Sequence, residues 1–94
     1  MKKVVYSDHL KFRLKLRKIP YLLPIQIYKL SKERYFDVLT KNFVAVKRVL
    51  YKGKSRDIMV AYTESSVDVI LITIHPLKSE QKFNRIRNNR WQRL

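Results

Sequence analysis

Three strand-like runs joined by two tight turns constrain this chain more than anything else in it. Phe43 to Tyr51 is rich in Val and aromatic residues. Lys52-Gly53-Lys54-Ser55 then predicts a turn around the only glycine, which is free to take a positive φ. Arg56 to Thr63 alternates, Glu64-Ser65-Ser66 predicts a second turn, and Val67 to Ile74 is almost continuously apolar. Such a continuous run predicts a central strand buried on both faces. Two short connections between three runs predict an antiparallel meander.

The flanks read as helices and one further strand. Lys3 to Tyr6 predicts a short strand. Ser7 or Asp8 can cap a helix that runs to about Lys18 and stops before Pro20. Pro24 can open a second helix to about Arg34, with Leu23, Ile27 and Leu30 as its apolar stripe, and residues 35–42 return the chain. Pro76 ends the last strand. Ser79 can cap a third helix to about Arg87, stopped at Asn88-Asn89. The expected order is β-α-α-β-β-β-α: a single α+β domain over residues 1–94, with helices packed on one face of an antiparallel sheet.

Charge narrows the function. The chain carries 22 Lys and Arg against seven Asp and Glu, a net +15. Most of the excess sits at the ends: seven basic residues and one acid in residues 1–20, six and one in residues 77–94. If the fold joins the ends, they form one basic surface that attracts phosphate polymers or anionic partners. The chain has no cysteine, so disulfides and thiolate metal sites are excluded. No apolar stretch reaches the ~20 residues of a membrane span. Polar residues follow Val4-Val5-Tyr6 too soon for a secretory signal, so a cytoplasmic location, without membrane contact, is expected.

The first helix places charge unusually. At about 100° per residue, His9, Arg13 and Arg17 form a column between Leu10 and Leu14 on one side and Phe12 and Leu16 on the other, while Lys11, Lys15 and Lys18 take the opposite face. Charges on an apolar face need a partner or a cleft. Either Asp37, Asp57 or Asp68 neutralises an arginine while the others snorkel, or the column lines an anion-binding groove. His75, at the end of the apolar strand, and His9 are candidate proton carriers near neutral pH, against the plain alternative that each is structural. The segment Lys82 to Trp91 is dense in Arg and Asn, with a Trp that either stacks on a base or anchors the tail to the core. By period two, Arg56 shares a strand face with Ile58, Val60 and Tyr62, and with Lys54 could face the same groove.

Tyr6-Ser7-Asp8-His9, followed by Arg13 and Arg17 on a helix, resembles the opening of small domains of the RelE/ParE toxin superfamily, in particular its BrnT-like branch and related small domains. Ile72-Thr73-Ile74-His75-Pro76, then Arg85 and Arg90-Trp91, fits the same outline, so the resemblance covers most of the chain with short motifs. It implies a RelE-like fold and a toxin of a toxin–antitoxin pair that cleaves mRNA, often on the ribosome, without metal or cofactor. It also implies a cognate antitoxin as partner. Carried onto this chain, His9 or His75 would act as general base or acid, and Arg17, Arg56 and Arg85 would grip the scissile phosphate. Arg13, Lys54, Arg87, Arg90 and Trp91 would hold neighbouring nucleotides. The competing classes are a non-enzymatic nucleic-acid-binding protein, which needs only the charge, and a basic accessory subunit that meets an acidic partner protein.

Overall fold

The computed structural model describes residues 2–94, and its apolar runs assemble into one six-stranded sheet. The elements are β1 (Lys3–Tyr6), α1 (Asp8–Arg17), α2 (Leu23–Leu30), β2 (Glu33–Asp37), β3 (Asn42–Tyr51), β4 (Lys54–Glu64), β5 (Asp68–Pro76), α3 (Gln81–Arg87) and β6 (Trp91–Arg93). The sheet order is β1-β5-β4-β3-β2-β6. Every neighbouring pair is antiparallel except β1 and β5, which are parallel. The α+β class and the meander stand as read, but the sheet is mixed and holds two strands more than expected. No helix among the described residues is long and apolar enough to cross a membrane.

Local chemistry explains the elements that were legible. Ser7 caps α1: its Oγ accepts from Leu10 N at 3.0 Å. The β3–β4 hairpin closes over Lys52 and Gly53, with φ of 50° and 80°. Positive φ at both central residues is the turn whose twist matches paired strands.

Other boundaries moved. The second helix ends at Leu30 rather than Arg34. The Ser31 hydroxyl donates to Val46 O at 2.6 Å and accepts from Glu33 N at 3.2 Å, which turns the chain into β2 beside β3. The third helix begins at Gln81, and Ser79 does not cap it. The tail adds β6 against β2. The apolar strand β5 is not central, and it is not buried on both faces: Ile70 is 37% exposed.

The sheet separates two cores. Leu10 and Leu14 of α1, Ile19 of the connection after it and Ile27 of α2 pack with Ala45, Ile58, Val60, Val69, Leu71 and Ile74 on the first face. Tyr35, Val44, Val46, Met59, Ala61, Leu77 and Trp91 form the second. Each Leu, Ile, Val or Met among them contributes about 1.5–3 kcal/mol on full burial. Helix α3 serves the second face, where Arg85 reaches Met59 and Trp91. The helices therefore lie on both faces, not one.

A bulge in β5 decides where its end points. Tyr62 pairs with Leu71 and Ala61 with Thr73, so Ile72 is extra. The shift keeps Val69, Leu71 and Ile74 in the first core and turns Thr73 and His75 to the second face.

Candidate functional site

Strand β1 pairs with β5 only over Asp68–Leu71, so the outer edge of β5 beyond that point lacks a strand neighbour. Helix α1 meets it instead. Ser7 Oγ donates to Ile72 O at 2.8 Å, and Arg13 Nε donates to Ile74 O at 2.9 Å. These side chains satisfy carbonyls that a strand would otherwise take up. The cost of facing Arg13 inward is offset by that bond. Leu10 and Leu14 are the buried residues of α1, whereas Phe12 and Leu16 are 64% and 65% exposed. The His9-Arg13-Arg17 column thus marks the border of the buried face, not its middle: Arg13 is half-buried, and His9 and Arg17 are exposed.

His75 lies one residue along β5 from the Arg13 contact, opposite Met59 on β4. Met59 also contacts Arg85: guanidinium Nη1 to Sδ is 3.9 Å, and the same guanidinium sits 5.1 Å over the Trp91 ring. Burial pushes the His75 ring below its ordinary value of 6.5. The Pro76 carbonyl works against this, and the positive charges of Arg85, Arg13 and Arg17 add to it. His75 is therefore largely neutral at pH 7. Its Nδ1 lies 3.4 Å from Pro76 O. A carbonyl only accepts, so the tautomer that fits this contact carries its proton on Nδ1 and its lone pair on Nε2.

The three arginines keep their charge available. The ion pairs among the described residues use Lys2, Arg48, Lys82 and Arg90 as cations, and none uses Arg13, Arg17 or Arg85. Asp57 pairs with Arg48 and Lys82, and Asp37 with Arg90, so neither neutralises the α1 column. No group of three or more His, Asp or Glu is gathered among the described residues in a way that could hold a metal ion.

The other residues singled out from the sequence fall elsewhere. His9 is exposed on the first turn of α1. Arg56 lines a separate hollow of about 320 Å³ with Arg48, Asp57, Lys78 and Lys82, and its Nη2 donates to Leu77 O at 3.4 Å. Lys54 is exposed at the hairpin and Arg87 on α3. Arg90 is bound to Asp37 through Nε at 3.1 Å and Nη2 at 3.1 Å. Trp91 is 1% exposed, stacked on Tyr35 at 5.3 Å, with Nε1 donating to Asp37 Oδ2 at 3.1 Å. Both anchor the tail, and the buried Trp91 ring offers no free face to a base. Sequence reasoning missed Met59, the cross-strand partner of His75 and a contact of Arg85, because nothing in the sequence marks a Met as a neighbour of charge.

A largely neutral imidazole within electrostatic reach of three guanidinium groups that take no part in the ion pairs among the described residues can take a proton from a hydroxyl whose neighbour carries negative charge. Comparison of the chain with family models, with curated proteins and with solved structures gave no match.

Proposed function

We propose that this protein is a metal-independent endoribonuclease acting on mRNA, with a RelE-like fold and the role of a toxin in a toxin–antitoxin pair. One observation carries the reading: Arg13, Arg17 and Arg85, from α1 and α3, take no part in the ion pairs among the described residues, and their charges add to burial in lowering the half-buried His75. The β-α-α opening, the meander and the following helix support the RelE-like assignment.

In this mechanism His75 Nε2 takes the proton of a ribose 2′-hydroxyl. The 2′-oxygen attacks the adjacent phosphorus and the P–O5′ bond breaks. The leaving 5′-oxygen takes a proton from water, and His75 later returns its own to solvent. The products are a 2′,3′-cyclic phosphate and a 5′-hydroxyl. Arg13, Arg17 and Arg85 stabilise the charge that grows on the phosphoryl oxygens. The exposed Lys54, Arg56 and Arg87 bind backbone further from the cut, and His9 flanks the α1 end. An acidic antitoxin segment in the cytoplasm would neutralise the basic surface.

The test is cleavage of an end-labelled mRNA fragment, free and ribosome-bound, by wild type, His75→Ala and Arg85→Ala. Loss of a proton carrier lowers the rate by about 10²–10⁴-fold, and loss of a charge donor by about 10²-fold or more. Equal cleavage by all three removes the mechanism. Salt-sensitive binding with no product assigns the charge to a non-enzymatic nucleic-acid-binding protein instead.

A further inference from the structure

The second face of the sheet carries one straight cross-strand row. Glu33 of β2 pairs with Val46 of β3, Val46 with Met59 of β4, and Met59 with His75 of β5. Helix α3 reaches this row at two points. Lys82 Nζ lies 3.1 Å from Glu33 Oε2, and Arg85 Nη1 lies 3.9 Å from Met59 Sδ. The two side chains are three residues apart, on one helix face. Their long stems spread the charged heads over the two strand spacings, about 9–10 Å, between Glu33 and Met59. Arg85 takes the end nearer His75.

Apolar packing does little to seat α3. None of its residues is buried, and Phe83 is 54% exposed. Its first turn closes on itself: Gln81 N donates to Lys78 O at 3.0 Å, and Gln81 Oε1 accepts from Lys78 N at 2.9 Å. Among the described residues, the polar and cation–π contacts from α3 to the sheet come from Lys82 and Arg85. Lys82 Nζ also lies 3.4 Å from Asp57 Oδ2, so one ammonium bridges acids from β2 and β4 across β3. Burial works against that charge, but Glu33 and Asp57 outweigh it and hold Lys82 above its ordinary value of 10.5. Asp37, beside Trp91, is bound by Arg90.

We infer that Lys82 is a positioning residue for Arg85: by occupying Glu33 and Asp57 it leaves the neighbouring guanidinium no free carboxylate, and Arg85 stays on Met59 and Trp91 at the His75 end of the row. Without the ammonium, two half-buried carboxylates stand unsatisfied within a helical turn of an arginine. A guanidinium forks onto a carboxylate through two hydrogen bonds, so Arg85 turns toward Glu33 and away from His75. The same bridge accounts for an arginine that sits near two acids and pairs with neither. The effect of Lys82 on cleavage rests on the proposed nuclease activity; its effect on Arg85 and His75 does not.

The test is the His75 titration midpoint, read by proton NMR on the full chain, with a urea midpoint to show that each variant is folded. Lys82→Gln should raise the His75 midpoint by about half or more of the shift that Arg85→Gln gives, because both take the Arg85 charge away from the ring. Lys82→Arg keeps the bridge and should leave the wild-type value. Lys82→Gln/Arg85→Gln should match Arg85→Gln alone, since Lys82 acts through Arg85. Glu33→Gln/Asp57→Asn/Lys82→Gln removes the carboxylates that capture Arg85 and should return the midpoint to the wild-type value. This triple variant leaves neither acid unpaired, so it tests the role even where Lys82→Gln does not fold. An unmoved midpoint in folded Lys82→Gln, a double variant shifted well beyond Arg85→Gln, or a triple variant raised above wild type overturns the proposal. Cleavage of the end-labelled mRNA fragment keeps the two readings apart. A midpoint that moves in Lys82→Gln while the wild type cuts no RNA supports the positioning role and removes the nuclease. A wild type that cuts, with an unmoved midpoint in Lys82→Gln, overturns the positioning role alone.

Discussion

Asp37 and Trp91 stand 54 positions apart in the chain and meet at 3.1 Å, the indole Nε1 donating to carboxylate Oδ2. Arg90 closes on the same carboxylate, and Leu39 N and Thr40 N donate to its Oδ1 at 3.0 and 3.3 Å. One buried acid thus fixes the turn after β2 and the strand β6 together. Because the Arg85 guanidinium lies over the Trp91 ring, the same acid sets the floor beneath one arginine of the candidate site.

Asp37→Ala should therefore destabilise the fold by about 3 kcal/mol or more, since it leaves a charged partner and several donors without an acceptor. A urea midpoint measures this. The pH dependence has a definite sign. Burial alone raises the Asp37 carboxyl, but the bonds from Arg90, Trp91 and the Thr40 and Leu39 amides outweigh it and hold it below 3.8. Its contribution is complete above pH ~4 and is lost as pH falls through the lowered folded value. Asp37→Asn should remove that part of the acid-side loss.

Trp91 is the only tryptophan, and it is buried. Its fluorescence should be blue-shifted and shielded from iodide, and saturating RNA should leave it unquenched. Strong quenching by RNA would mean that the indole leaves Tyr35 and stacks on a base, against the anchoring role assigned to it.

What the sequence revealed depended on how local each determinant was. The hairpin at Gly53 and the cap at Ser7 need only neighbouring residues, so both were legible. β2 was not, because Leu30 continues the helical stripe and the deciding contact, Ser31 to Val46 O, spans 15 positions. The tail looked like a nucleic-acid grip because its partner, Asp37, is remote in sequence. The bulge at Ile72 lies in a continuous apolar run, where alternation carries no information, so the face that His75 takes could not be read. Arg13, Arg17, Arg85 and His75 were picked out by type and position. The contact of Arg13 with Ile74 O and the face that His75 takes needed the free edge of β5 and the bulge.

Ser7 joins two levels of that arrangement, capping α1 and donating to Ile72 O at the bulge. Ser7→Ala should cost about 1–2 kcal/mol, more than an isolated cap at the low end of the range, because a half-buried carbonyl also loses its donor. Hydrogen exchange at the Leu10 amide should accelerate in the variant, and unchanged exchange would mean that another group caps the helix.

The electrostatics around His75 give the sharpest prediction. Burial lowers the ring first, the Pro76 carbonyl opposes it, and Arg85, Arg13 and Arg17 follow as further lowering causes in that order. Arg85→Gln should therefore raise the His75 titration midpoint, and Arg13→Gln and Arg17→Gln should raise it by smaller steps. With two histidines in the chain, a proton NMR titration is assigned by a single His9→Gln variant. The linkage follows from the sign: the unfolded ring takes its proton near pH ~6.5 and the folded ring only at lower pH, so stability is complete above ~6.5 and declines as pH falls through the folded value. Arg85→Gln should shrink that decline. If His75 is the base, the acid limb of the RNA cleavage profile should follow the NMR midpoint upward in the same variant. An unchanged midpoint in Arg85→Gln would show that this guanidinium does not act on His75, and the nuclease reading would lose the observation on which it rests.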